Sequence, residues 1–142
     1  MEAVRQQIAA MRQSFFDEEL LDKYFIQLEK LEEMSNPSFV EDVVTLYFRD
    51  STKLLANIEE DMEKTPVDYM KLDRCFHQLK GSSASIGANK VRNEVNKARE
   101  FCRAGNMEAA KASFQQLKVE HSTLKAKLQA YFQLLAEVVE SD

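Results

Sequence analysis

Glycine and proline are scarce in this chain: three of one and two of the other among 142 residues. So few breakers leave little material for tight turns and favour long helices with short connections. Tryptophan is absent, and the two cysteines, Cys75 and Cys102, lack metal-ligand spacing. They read as reduced thiols with structural or incidental roles. No apolar run approaches the roughly 20 residues of a membrane span. The opening Met1-Glu2-Ala3-Val4-Arg5-Gln6 has no signal-peptide core. These absences set the expectation of a cytoplasmic or nuclear protein. Positive charge is short as well: 19 Lys and Arg stand against 24 Asp and Glu, a net charge of −5. That balance argues against nucleic acid as a partner. There is no Gly-rich loop of Walker type to hold ATP phosphates, and no Ser or Cys in a recognisable triad pattern. A self-contained kinase or hydrolase is therefore not expected.

What is present suits one globular domain over residues 1–142, with 44% hydrophobic and 30% charged residues. Apolar spacing predicts six helices. Val4, Ile8 and Met11 mark a first helix over about 3–12. Ser14-Phe15-Phe16-Asp17 has the form of a capping box and predicts a second helix from Asp17 to Met34, with Leu21, Tyr24 or Phe25, Leu28 and Leu31 as its stripe. Ser35-Asn36-Pro37 breaks it, with Asn36 as cap and Pro37 as first residue of a third helix running to Lys64. Its stripe is Val40, Val44, Tyr47, Ser51, Leu54, Ile58 and Met62. Thr65 and Pro66 are the expected cap and first residue of a fourth helix over about Val67–Ile86, with Leu72, Phe76, Leu79, Ser83 and Ile86 as its seam. A fifth helix is expected over Asn89–Arg103, burying Val91, Val95, Ala98 and Cys102. A sixth is expected over Met107–Val139, with a seam of Phe114, Leu117, His121, Leu124, Leu128, Tyr131, Leu135 and Val138. No strand alternation competes. The fold class is all-α: an antiparallel four-helix bundle of the last four helices, with two additional N-terminal helices against one end or side.

The chain has two histidines. His121 falls on an apolar seam, which predicts a buried, hydrogen-bonded ring. His77 falls on another face of the fourth helix, with Lys80, Gly81 and Ala84 beside it at three-, four- and seven-residue spacing. Glycine inside a helix costs about 1 kcal/mol relative to alanine, so Gly81 points to a need for space beside the imidazole. Lys80 could pair with an anion held there. Gly87 suits a left-handed helix terminus. An exposed histidine with no special task is the plainer alternative. Asp73, one turn before His77, either orients the ring or is a solvated surface acid. Ten to twelve residues past the turn, an antiparallel partner helix brings Lys97 or Arg99 to the level of His77. Gln78 lies about 100° round the helix, so it is assigned to surface or docking.

The string from His77 to Val91, HQLKGSSASIGANKV, resembles the signature of histidine-containing phosphotransfer (HPt) proteins, the plant branch in particular. A looser likeness runs from about Leu20 to Tyr131 and includes Ser35-Asn36-Pro37-Ser38-Phe39-Val40 and Val43-Val44-Thr45-Leu46. The resemblance implies the same bundle, with His77 as the phosphorylated residue, Lys80 and Gly81 as its chemical neighbours, and Arg99, Gln78, Ala84 and Gly87 in support. It implies a phosphorelay intermediate with no cofactor of its own. The partners would be receiver domains of hybrid histidine kinases and response regulators, which carry the divalent metal. Docking would use a small apolar patch, with Ile26, Leu28, Leu31 and Ala84 as candidates. The plant likeness implies cytokinin signalling and presence in cytoplasm and nucleus, and a bundle completed within one chain favours a monomer. Some plant relatives have lost the histidine and act as inhibitors, so a binding module that carries no phosphate is the alternative. The dimerisation helices of a histidine kinase fit less well, because no proline-bearing box or ATP-binding domain accompanies His77.

Overall fold

The computed structural model describes residues 1–34 and 36–141, with side chains through residue 138. Six helices follow in order: α1 (Glu2–Asp17), α2 (Lys23–Glu33), α3 (Phe39–Met62), α4 (Tyr69–Ile86), α5 (Asn89–Arg103) and α6 (Met107–Ser141). Helices α3 to α6 close a ring in which α3 and α5 each lie between α4 and α6. Short connections make successive members antiparallel. α2 packs on α3 and α4, and α1 on α6. The 35 residues of α6 reach about 52 Å, against about 36 Å for the 24 of α3. α1 covers part of that excess length, where Phe15 meets Tyr131 edge-to-face at 5.6 Å between ring centroids. No helix among the described residues is long and apolar enough to cross a membrane.

The seams expected of α4 and α5 are buried as read, and α5 has the expected bounds. Several helix starts and ends differ: α3 and α6 end two residues from the expected positions, at Met62 and Ser141, and four other termini differ for local reasons. α1 continues to Asp17 because Phe15 extends the Val4, Ile8, Met11 stripe and is buried. Ser14 spends its hydroxyl inside that helix, donating to the carbonyl of Met11, so no capping box forms. α2 instead begins after Asp22, whose carboxylate accepts from the Tyr24 backbone N–H. α3 begins after Ser38: Asn36 and Pro37 form a turn in which the Asn36 side-chain carbonyl accepts from the Ser38 N–H. Asp68, not Thr65, caps α4 by accepting from the Lys71 N–H at 3.1 Å. A carboxylate ranks above threonine as a cap and also complements the helix dipole. In α3 Leu55 is buried and Leu54 only half-buried. Ser35, expected within the break after α2, lies outside the described residues. Cys75 and Cys102 are both free, and burial pushes both thiols up from their ordinary range.

Gly87 locks three segments together. It ends α4 at φ +78°, donating to the Ala84 carbonyl, while the next N–H, of Ala88, reaches back to Ser83. Its own carbonyl accepts from the Asp22 N–H at 3.0 Å, and Asn89 N–H donates to the Leu20 carbonyl at 3.1 Å. A Cβ here would lie 2.6 Å from the Phe25 backbone nitrogen and 2.8 Å from Asp22 Oδ1. Gly87→Ala is therefore expected to destabilise the fold by about 2–3 kcal/mol, from left-handed strain and displacement of α2, measured by urea unfolding.

His121 is 5% exposed and accepts or donates one hydrogen bond, to Ser51 Oγ at 2.7 Å across α3 and α6. Phe48 packs edge-to-face on its ring at 5.1 Å. The hydroxyls of Tyr47 and Ser83 share a second buried bond of 2.7 Å, between α3 and α4. Burial, with a smaller effect from Lys125, pushes the His121 imidazole down to about 4. Its unfolded form binds a proton near 6.5, so the unfolded state gains protons first as pH falls. The contribution is whole above pH 6.5 and is lost between 6.5 and 4, on the order of 3 kcal/mol. Urea midpoints at pH 7 and pH 4.5 should differ markedly in the wild type and much less in His121→Gln.

Candidate functional site

His77 sits on the solvent face of α4, opposite the buried residues Phe76 and Leu79. The register set at Gly87 brings α5 alongside, and Arg99 meets the imidazole: Arg99 Nη1 lies 3.4 Å from His77 Nδ1. The same guanidinium grips Asp73 with its other two edges, Nε to Oδ1 at 2.8 Å and Nη2 to Oδ2 at 3.1 Å. Arg103, one turn further along α5, also donates to Asp73, from Nε to Oδ1 at 3.0 Å. These two arginines, Arg99 first, hold the Asp73 carboxyl well below the usual carboxylate range. Asp73 is thus neither a solvated acid nor bonded to the ring. It anchors the arginine that is.

Of the two cations proposed to face His77, the structure selects Arg99. Lys97 points away and pairs with Glu94 at 3.2 Å. The reason is rotational phase: two residues along α5 turn the side chain by about 200°. Lys80 is half-buried and has no hydrogen bond or ion pair among the described residues. Arg99 and Arg103 share the Asp73 carboxylate, and Arg103 also lies 3.8 Å from Glu100. Gly81 is exposed, and a Cβ added there would meet nothing within 4 Å. Nothing inside this chain requires glycine at that position. Gln78 is exposed and makes no hydrogen bond among the described residues.

Beside the histidine lies an open cleft lined by Tyr24, Lys80, Gly81, Ala84, Arg92 and Asn96, among others. Of the residues considered for docking, Ala84 lines this cleft, and Ile26, Leu28 and Leu31 do not. Leu28 is packed against the core, Ile26 is half-buried, and Leu31 is 48% exposed elsewhere on α2. Tyr24, 39% exposed, is the apolar wall that α2 supplies. The Asp22 cap sets the phase of α2 so that Phe25 enters the core and Tyr24 faces out. Arg92 was likewise not singled out in the sequence. It reaches Asn89 Oδ1 at 2.7 Å and Asp22 Oδ2 at 3.4 Å, bridging α5 to the start of α2. Its only sequence signal was its place three residues after the expected helix start. No group of three or more His, Cys, Asp or Glu among the described residues could hold a metal ion.

Known proteins resemble this chain over most of its length. Residues 42–133 match the Hpt domain. A protein of Arabidopsis thaliana named histidine-containing phosphotransfer protein 4 is 53% identical over 80% of this chain and 89% of its own length. Pseudo histidine-containing phosphotransfer protein 2 of Oryza sativa is 47% identical over 95% of this chain and 89% of its own. The crystal structure of the histidine-containing phosphotransfer protein MtHPt2 from Medicago truncatula superposes with a TM-score of 0.94 at 38% identity, over 99% of this chain and 96% of that one. The maize protein ZmHP2 superposes with a TM-score of 0.90 at 34% identity, over 95% and 99%. The helical bundle, the exposed histidine and these likenesses agree: the chain belongs to the plant histidine-containing phosphotransfer family, phosphoryl carriers of two-component signalling.

Proposed function

We propose that His77 takes a phosphoryl group from the aspartyl phosphate of a hybrid sensor kinase's receiver domain and passes it to a response-regulator aspartate. One observation carries this reading. The imidazole is exposed on a face cleared by Gly81, with Nδ1 facing Arg99 and Nε2 left open to a partner. Phosphoryl transfer asks mainly for positioning and charge neutralisation. Nε2 forms a bond to phosphorus as the bond from phosphorus to the acyl oxygen breaks, and the receiver carboxylate leaves with that electron pair. Onward transfer is the reverse with a second receiver. Lys80, without a partner among the described residues, supplies positive charge to the phosphoryl oxygens, while Arg99 faces Nδ1. The receiver supplies a divalent metal, and this chain needs no cofactor. Tyr24, Ala84 and the surrounding polar groups of the cleft form the docking surface for a monomer of this protein. Cytokinin signalling in cytoplasm and nucleus is the setting we assign, on the resemblance to plant proteins alone.

A second reading is favoured by names. Three rice relatives, at 45–48% identity, are called pseudo histidine-containing phosphotransfer proteins. The chain could by that likeness be a receiver-binding inhibitor. The retained His77 with its flanking cations supports the carrier instead.

The two readings separate in one experiment, with a phosphorylated receiver domain, magnesium and this protein. Acid-labile, base-stable label on the wild type and none on His77→Gln is expected. Binding without label on the wild type would leave the inhibitor. Gly81 gives an independent check. Gly81→Ala should raise stability by about 0.5–1 kcal/mol, since only helix propensity changes. Gly81→Leu should keep the fold and slow transfer from the receiver at least tenfold, as loss of a close approach worth about 1.4 kcal/mol or more implies. Equal transfer rates in Gly81→Leu and wild type would remove the clearance argument.

A further inference from the structure

The carrier reading leaves one contact unused, the third edge of Arg99. Asp73 occupies Nε and Nη2. Nη1 is aimed at His77 Nδ1 at 3.4 Å. A guanidinium has only donors, so Nδ1 is the acceptor here and a neutral ring carries its proton on Nε2. The Arg99 side chain is only 12% exposed and lies between α4 and α5, so the fork is held rather than free to swing. Asp73 is itself gripped by Arg103. The carboxylate therefore stays charged, and the anchor intact, throughout the neutral pH range.

We propose that Arg99, positioned by Asp73, sets the lifetime of the phosphohistidine by keeping a proton off Nδ1. The inference rests on the carrier reading and adds to it a means of regulation. A phosphoryl group leaves an imidazole nitrogen far more readily when the other ring nitrogen is protonated, because neutral imidazole then departs instead of imidazolate. Arg99 withholds that proton because its N–H occupies the Nδ1 lone pair. The balance of the loading step follows. The resting ring first moves its proton from Nε2 to Nδ1 through solvent; the freed Nε2 lone pair then forms the bond to phosphorus, and the acyl phosphate P–O bond breaks with its electrons going to the receiver carboxylate. The Nδ1 proton passes to solvent, and Arg99 closes on the lone pair it leaves. The neutral phosphoimidazole then resists water until a partner displaces the guanidinium or protonates the ring. Arg99 is thus a holding group for the carried phosphate, and Asp73 is a positioning residue acting through it.

The test loads full-length wild type, Arg99→Ala, Asp73→Asn and Lys97→Ala with phosphoramidate, a small donor that needs no docking. The phosphorylated receiver loads a parallel sample. Loss of acid-labile phosphate is then followed at pH 7.5, with circular dichroism as the folding control. Arg99→Ala should shorten the half-life about tenfold, as loss of one charge-assisted hydrogen bond implies. Asp73→Asn should shorten it in the same direction. Lys97→Ala, which removes an equal charge from the same helix without touching the site, should leave it unchanged. Ring ¹⁵N shifts of unphosphorylated His77 supply a readout that a merely structural arginine would not move. The wild type should show the proton on Nε2, and Arg99→Ala a mixture of tautomers. Equal half-lives in wild type and Arg99→Ala would overturn the proposal, as would a wild-type ring protonated on Nδ1. If Arg99→Ala does not load, the ring shifts decide alone. A wild type that takes phosphate from neither donor sinks the carrier reading itself, a distinct result.

Discussion

The left-handed turn at Gly87 is the constraint on which the rest depends. It reverses the chain between α4 and α5 with almost no connecting residues and receives the start of α2 against its own backbone. Two registers are thereby set at once. His77 lies ten residues before the turn and Arg99 twelve after it, so at 1.5 Å per residue both stand about 15–18 Å from it, level with one another. On the other side, Asp22 and Phe25 close over Gly87, and that contact places Tyr24 at the rim of the cleft beside Lys80 and Gly81. A side chain at Gly87 would press on the Phe25 backbone, so the missing Cβ that lets the turn form also lets the start of α2 approach.

Around the imidazole, charge is arranged for placement more than for stability. Ion pairs near the surface contribute little to folding. The Asp73–Arg99 pair is bidentate, and the arginine is mostly covered, which makes it a rigid fork joining two helices. Asp73 cancels one of the positive charges of Arg99 and Arg103 while leaving donors free. Lys80 remains unpaired within the described residues. The outcome is a fixed donor at Nδ1, a half-buried cation one turn away, and an open face at Nε2. An arginine without its carboxylate would lose side-chain entropy on every approach to the ring.

The two histidines show how burial divides one chemistry into two roles. His121 is enclosed by Phe48, Tyr47 and Ser51, and its neutral form is what the core accepts. It ties α3 to α6 and offers no lone pair to a partner. His77 keeps water on one side and an arginine on the other. The neighbouring bond between Tyr47 and Ser83 pins the seam of α4 to α3 behind it, so the helix presenting His77 is held from within by a polar contact as well as by Phe76 and Leu79. Satisfied buried polar pairs specify one arrangement of facing helices where apolar contacts alone tolerate several.

By itself, the sequence determined the six helices, the seams of α4 and α5 and that of α6 as far as Tyr131, the bundle of the last four, and the shared face of His77, Lys80 and Gly81, while Leu135 and Val138, expected in the α6 seam, are only half-buried. It also determined the turn at Gly87 and the burial of His121. All of these follow from spacing within one helix or from the conformational needs of one residue, which are local. The tertiary structure alone decided that Arg99 and not Lys97 meets the imidazole, that Asp73 serves as its anchor, and that Tyr24 rather than Leu28 or Leu31 walls the cleft. It decided too that Asp22 and Asp68 are the caps and that Ser14 and Thr65 are not. Those outcomes turn on the rotational phase of one helix against another and on which of two competing side chains reaches a donor first. Neither quantity is written in the spacing of a single segment, because each is set by where a second segment comes to rest.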